Sequence, residues 1–464
     1  MMQLSQVEQA TGGKLLPGPQ AMAGDITVNR VSSDSRKVAQ GDLFIALRGE
    51  HFDGYAFVGT AAQAGATAAM VNADSCQVSQ QNAGEQAAVP LVLVDDTRLA
   101  LGRLAGWWRS RFSLPVVAIT GSNGKTTVKE MLASILSVAA GTADAVLATR
   151  GNLNNDIGMP LTLLRMNEGH RYAVIEMGMN HSGEIDYLTR IAEPDVALIN
   201  NASGAHLEGL GSVEAVAQAK GEIFAGLRHH GTAVINSDDC HAPIWRTLAG
   251  AHPLLEFGLN ANADISGTWH PLGNGLRLDV TAPQGMFAAD LQVPGMHNAL
   301  NALAATAAAT VLKIPLETIA AGLEKFSGVT GRLQRKPALH GAIMIDDTYN
   351  ANPSSMRAAI SVLAQAPGKR ILVLGDMGEL GGGAADLHAG IGAEARLAGI
   401  EKLFALGALS VNTVREFGSG AQHFAQIGAL QDALENELDA NTTVLVKGSR
   451  FMKMERVVEH FTVH

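Results

Sequence analysis

Short apolar runs, separated by polar turns and helical-period stretches, recur along the whole chain and fall into three groups. In residues 1–112 the runs at 42–47 and 91–94 read as strands and residues 97–108 as a helix, which together make a small α/β module. In residues 113–328 strand-like runs at 116–119, 172–175, 195–199 and 232–235 alternate with helical patterns, as βαβ units and a parallel sheet require. Two later runs, 276–280 and 287–293, alternate in period two and predict an antiparallel hairpin flanking that sheet. Residues 329–464 alternate again, with strands expected at 343, 371–374, 403–406 and 443–446, the pattern of a Rossmann-like domain. The expected fold class is therefore α/β in three domains. The divisions fall in two irregular stretches, 109–115 and 327–334, and each piece has enough apolar runs to bury a core of its own.

Composition narrows the classes. At 464 residues the chain exceeds one core, and a prior of roughly 150 residues per domain also suggests about three. The most apolar stretch, residues 299–314, is alanine-rich, interrupted by Asn301 and Thr306, and shorter than the ~20 residues a bilayer needs, so no membrane insertion is expected. The first residues lack a basic start followed by an apolar core, which points to a cytoplasmic protein. A net charge of −10 without a long basic run argues against nucleic acid as a partner. The two cysteines, Cys76 and Cys240, form no CxxC pattern and suggest neither a disulfide framework nor a zinc site.

The strongest chemical signal lies at residues 115–127, where an apolar strand stops at Gly-Ser-Asn-Gly-Lys-Thr-Thr and a helical stripe of Val128, Met131, Leu132 and Ile135 begins. Gly121 and Gly124 lack a Cβ, so with Ser122, Asn123 and Thr127 their backbone can close on phosphate oxygens at a helix N-terminus. Lys125 is placed to reach the terminal phosphates, and Thr126 offers a hydroxyl to Mg²⁺, so ATP is the expected nucleotide. The residue six before Lys125 is Ile119 rather than glycine, which makes this a shortened form of the usual loop. In parallel sheets, ligands sit beyond the carboxyl ends of strands, so Glu176 and the polar segment 200–208 are further candidates. Glu176 with Thr126 suits the oxygen preference of Mg²⁺.

The segment 121–127 resembles the loop of the Mur ligases and folylpolyglutamate synthetases, ATP-dependent enzymes that join a carboxylate to an amine. Further segments resemble Mur ligases across essentially the whole chain. The resemblance implies two metal ions, the second held by Glu176, His206 and a carbamylated Lys220. It implies that Asn298 or Asn301, in an HNxxN segment, borders adenine, and that Arg332 is a linker arginine reaching the nucleotide. Asn152, Asn154 and Asn155 match a stretch lining the UDP-muramoyl-peptide channel, and Ser33, Ser35 and Arg36 match an element near the uridine. The segments 346–356 and 375–381 resemble the branch of the family whose amine substrate is D-alanyl-D-alanine. There Asp346 or Asp347, with Tyr349, Asn350 and Asn352, would orient nucleotide and amine, and Lys447 and Arg450 add a cationic strand end.

The implied reaction is attack of the carboxylate of UDP-N-acetylmuramoyl-tripeptide on ATP, then attack of D-alanyl-D-alanine on the acyl phosphate, by an enzyme expected to be a monomer. Two alternatives stand beside it: another Mur-type or folylpolyglutamate-synthetase-like ligase, and a nucleotide-operated binding protein without ligase activity.

Overall fold

The computed structural model describes residues 2–18, 25–50, 52–76, 88–204, 207–260 and 262–463. Its central element is a nine-stranded sheet in the order Gly285–Leu291, Gly275–Ala282, Ile265–Leu272, Leu254–Gly258, Thr232–Asn236, Val196–Ile199, Val116–Thr120, Tyr172–Glu176, Val146–Ala148. The six strands from Leu254–Gly258 to Val146–Ala148 are parallel, as is the junction to Ile265–Leu272, and the last three in sequence form an antiparallel meander. The expected hairpin is therefore the end of a three-stranded extension of the same sheet. Ile265–Leu272 escapes sequence reading because most of its positions are exposed or half-exposed, which leaves little apolar signal.

A five-stranded sheet in residues 14–94 and a six-stranded sheet in residues 334–447 flank the central one. In the latter, Gln334–Pro337 pairs antiparallel with Ile343–Asp347, and the other five strands are parallel. Period-two alternation sends adjacent residues of one strand into different cores. Val116 and Ala118 face one core while Val117 and Ile119 face another. Leu43 and Ile45 are likewise divided from Phe44, and Ile371 and Val373 from Leu372 and Leu374.

The expectation that each piece buries its own core fails at the first division. One core runs from Leu4, Val7 and Leu43 through Leu101, Leu104 and Trp108 to Met159 and Ile185. The helix Thr97–Arg109 bridges the two regions, its Trp108 indole donating to Met166 O at 2.9 Å and its buried Arg109 to Ala192 O at 2.9 Å. Apolar runs mark burial but not the partner, so the sharing was invisible in sequence. The two cores of residues 333–461 are separate from those of the central sheet.

Among the described residues no helix is long and apolar enough to cross a membrane. Cys76 is buried and Cys240 exposed. Although no zinc site was expected, Asp239, Cys240 and His241 bring one potential ligand atom each within 4.8 Å of the others.

Candidate active site

Val116–Thr120 lies between two parallel neighbours, so three strand ends open on one edge of the sheet, and the chain leaves it directly into the helix Lys125–Ala140. Gly124 caps that helix at φ +77°, where a Cβ would lie 2.3 Å from Asn301 Oδ1 and 2.5 Å from Asn200 Nδ2. Only glycine permits both the turn and this close approach.

Side-chain amides brace the loop. The Asn123 backbone N–H donates to Asn201 Oδ1 at 2.9 Å, and Asn200 Nδ2 donates to Asn123 O and to Asn301 Oδ1, each at 2.9 Å. Asn301 Nδ2 donates in turn to Asn298 Oδ1 at 3.2 Å, and Asn298 Nδ2 to Pro294 O at 2.8 Å. Asn298 and Asn301, expected at a base edge, thus also tie the alanine-rich helix Met296–Val311 to the loop.

Glu176 is almost fully buried and takes hydrogen bonds on both oxygens, from the Thr126 hydroxyl at 3.0 Å and from Asn154 Nδ2 at 2.8 Å. Lys125 Nζ donates to Gly121 O at 2.6 Å. Burial pushes its amine below the ordinary lysine range, opposed by the carboxylate of Glu176. Lys220, in the last turn of Val213–Gly221, is 1% exposed. Burial first, and the like charge of Lys125 second, hold its amine well below the usual value. His206 lies outside the described residues.

Two cavities meet at this loop. The larger, about 600 Å³, is lined by Ser122, Lys125, Asn152, Asn154, Asn155 and Glu176 on the central side and by Tyr349, Asn350, Asn352, Glu379 and Arg450 on the other. The smaller, about 350 Å³, is lined by Thr127, Asn298, Asn301, His297, Asp238 and Asp239, and across the gap by Asp347 and Lys447. Asn123, Gly124, Arg332 and Ser355 belong to both. The Arg332 guanidinium sits 4.2 Å over the Tyr349 ring, and its buried Nε has no partner among the described residues. Asp347 pairs with Lys447 at 2.6 Å, and Lys447 also donates to Asn350 O at 2.8 Å.

Asp346 lines neither cavity. Its carboxylate pairs with Lys336 at 2.8 Å and accepts from the Thr348 hydroxyl at 2.7 Å, because strand alternation turns it away from its neighbour Asp347. Ser33, Ser35 and Arg36 also line neither; Arg36 is held by Asp34 through two bonds of 2.8 and 3.0 Å. Sequence reading passed over Asp238 and Asp239, and took in His297 and Glu379 only as parts of the segments 297–301 and 375–381, without giving either a role. Asp238 and Asp239 follow the end of Thr232–Asn236, the same strand-end signal that singled out Glu176. His297 opens the HNxxN segment and Glu379 sits in the segment 375–381, so both lay within motifs whose individual side-chain roles the sequence did not separate.

A loop closed on a helix N-terminus at the carboxyl ends of parallel strands, roofed by a second α/β domain, is the frame of a nucleotide-using ligase. Residues 119–309 match the Mur ligase middle domain, residues 331–450 the Mur ligase glutamate ligase domain, and residues 27–109 the Mur ligase family catalytic domain. The UDP-N-acetylmuramoyl-tripeptide–D-alanyl-D-alanine ligase of Escherichia coli (strain K12) is 42% identical over 459 residues, spanning 98% of this chain and 97% of that one. Among solved structures, MurF from Acinetobacter baumannii superimposes with a TM-score of 0.89 at 36% identity, covering 98% of this chain and 97% of its own. The MurF ligase of Thermotoga maritima in complex with ADP gives 0.80 at 26% identity, covering 94% and 97%. The chain belongs to the Mur ligase family, and it is a ligase.

Proposed function

We propose that this chain joins D-alanyl-D-alanine to UDP-N-acetylmuramoyl-tripeptide at the expense of ATP, a peptide-extension step of peptidoglycan precursor synthesis. The full-length likeness to ligases named for that reaction supports this reading. The observation that carries it is the junction of the two cavities at Asn123, Gly124 and Arg332. One cavity suits the nucleoside and the other the two acceptors, with the phosphate loop between them.

A carboxylate cannot expel oxide, so it must first be phosphorylated. Bringing it about 4 Å from one phosphate charge costs roughly 4 kcal/mol at an effective dielectric near 20, and ATP carries several such charges. Lys125 and Arg332 offset that repulsion, and the resulting acyl phosphate reacts with the dipeptide amine to give amide and phosphate. The hard oxygens of Thr126 and Glu176 fit Mg²⁺, which when bound neutralises phosphate charge and orients its oxygens. A second ion would be held by Glu176, His206 and a carbamylated Lys220. Burial holds the Lys220 amine well below its usual range, which favours the neutral form that takes up carbon dioxide, and finding Lys220 unmodified in active protein would overturn that part.

The nucleoside end falls to Asn298, Asn301 and Asp347, the muramoyl peptide to Asn152, Asn154 and Asn155, and its uridine end to Ser33, Ser35 and Arg36. The dipeptide falls to Tyr349, Asn350, Asn352 and Arg450, whereas Lys447, which the resemblance set beside them, lines the smaller cavity and pairs with Asp347 at the nucleoside end. We assign the enzyme to the cytoplasm as a monomer without a nucleic-acid partner.

Phosphate release and product mass, with ATP, UDP-muramoyl tripeptide and D-alanyl-D-alanine each omitted in turn, test the reading. The expected result is ADP, phosphate and the pentapeptide only when all three are present. Rapid phosphate release without both acceptors, or ligation of a different amine in preference, would overturn it.

A further inference from the structure

We infer that Lys129 and Thr149 form a brace that sets the distance between Thr126 and Glu176, which makes both of them positioning residues for the magnesium site. This rests on Mg²⁺ being held by Thr126 and Glu176 in the proposed reaction. Thr126 and Lys129 are three residues apart on the helix Lys125–Ala140, so they share a face, one turn apart. From that face the Thr126 hydroxyl donates to Glu176 Oε2 at 3.0 Å, and Lys129 Nζ donates to Thr149 O at 2.6 Å. Thr149 in turn accepts the Glu176 N–H on its hydroxyl at 2.9 Å. The four residues close a ring, with the helix fixing one side and the end of a strand pair the other.

Thr149 has this double role because its strand ends there. It follows Val146–Ala148, which runs parallel to Tyr172–Glu176, and its N–H donates to Val174 O at 3.1 Å. The next bond of a regular parallel ladder would run from the Glu176 N–H to Thr149 O. It runs to the hydroxyl instead, which leaves the carbonyl to Lys129. Lys129 and Thr149 are each 1% exposed, and Glu130 Oε1 lies 2.7 Å from the buried ammonium. A methionine would fill the same space without desolvating a charge, but it would give Thr149 O no donor. The pair so braced has a strict task. Mg²⁺ takes near-octahedral oxygens at about 2.0–2.1 Å, which puts adjacent ligands about 2.9 Å apart, close to the 3.0 Å between Thr126 and Glu176. A small drift of the strand end would spoil that spacing.

The test uses the full-length enzyme with Lys129→Met, Thr149→Val, the two combined, and Thr149→Ser. Calorimetry of ADP binding in a MgCl₂ series gives the Mg²⁺ concentration at which binding is half-maximally strengthened, read beside the same midpoint for ligation and the melting temperature. Removing a group that orients a metal ligand costs about 10- to 100-fold in metal affinity, so Lys129→Met and Thr149→Val should each raise both midpoints by about that factor. Ligation should largely recover at saturating Mg²⁺. The double variant should lose no more than the worse single one, since both cut the same ring. Thr149→Ser keeps the hydroxyl and should return most of the lost affinity; if Lys129→Met folds poorly, the contrast between Thr149→Val and Thr149→Ser decides alone. Midpoints unmoved in Thr149→Val, with or without a lowered melting temperature, or losses that multiply in the double variant, would overturn the inference. A wild type whose ADP binding and ligation are both indifferent to MgCl₂ would overturn the metal reading, and the inference with it.

Discussion

The two seams of the molecule are built from opposite materials. Between the first domain and the central one the core is continuous, with Leu101, Leu104 and Trp108 of one helix packed among Met159 and Ile185. Between the central domain and the last, the cores are separate, polar contacts cross the gap, such as Asn352 Nδ2 on Asn123 Oδ1 at 2.8 Å and the Glu208–Glu379 backbone bond, and two cavities are lined from both sides. Opening the first seam exposes apolar surface at about 25 cal/mol per Å². Opening the second exchanges hydrogen bonds with water, and each is worth only about 1 kcal/mol net. Substrates must enter and products leave, so the chemistry belongs at the seam that can part cheaply, and the loop at residues 121–127 faces it.

The sharpest way to break this contrast is Trp108→Ala. It should lower stability by about 3–5 kcal/mol, as removal of a buried large aromatic does, and melt the first two domains together. Two separate thermal transitions for them would show that the seam is not a shared core.

A pH titration probes the second seam at intermediate size. Burial lowers the His297 imidazole from 6.5 to about 4, with Asp347 opposing and Lys447 reinforcing. A depressed histidine takes up its proton more readily when unfolded, so its stability contribution is complete above about pH 6.5 and is lost as pH falls towards 4. The loss can reach no more than about 3 kcal/mol at roughly 1.4 per pKa unit, and His297→Asn should flatten that part of the stability curve. An unchanged curve in the variant would place the titration elsewhere.

The smallest effect is expected of Asn352→Ala. The variant removes both the contact across the gap and the cap that Asn352 Oδ1 gives the Ser355 N–H at 2.9 Å, so it should cost about 1–2 kcal/mol in unfolding and raise the KM for the nucleotide by weakening closure. A stability loss as large as that of Trp108→Ala would erase the distinction between the seams.

Much of the architecture was legible in advance. The strand Leu91–Val94 and the strand-to-helix switch at Thr120–Lys125 follow from local apolar runs and glycine placement. Gln334–Pro337 and Ala421–Phe424 were missed because they are half-exposed edge strands, where polar side chains dilute the signal. The short helix Gly158–Leu163 had no sequence signal of its own, since asparagines crowd the residues before it and Pro160 sits in its first turn, where proline is tolerated.

By itself the sequence determined the parts whose geometry is local: the phosphate loop, its helix and the carboxylate Glu176 at the next strand end. Which side chains meet that loop was decided only by tertiary packing. Asn301 reaches Asn200 from 101 positions away, and Asn352 reaches Asn123 from 229. Asp347 rather than Asp346 faces the smaller cavity, and Glu379 is delivered to the larger by a loop. No local preference encodes such meetings, because they depend on which faces of distant strands and helices are buried against each other, and burial is a property of the assembled molecule.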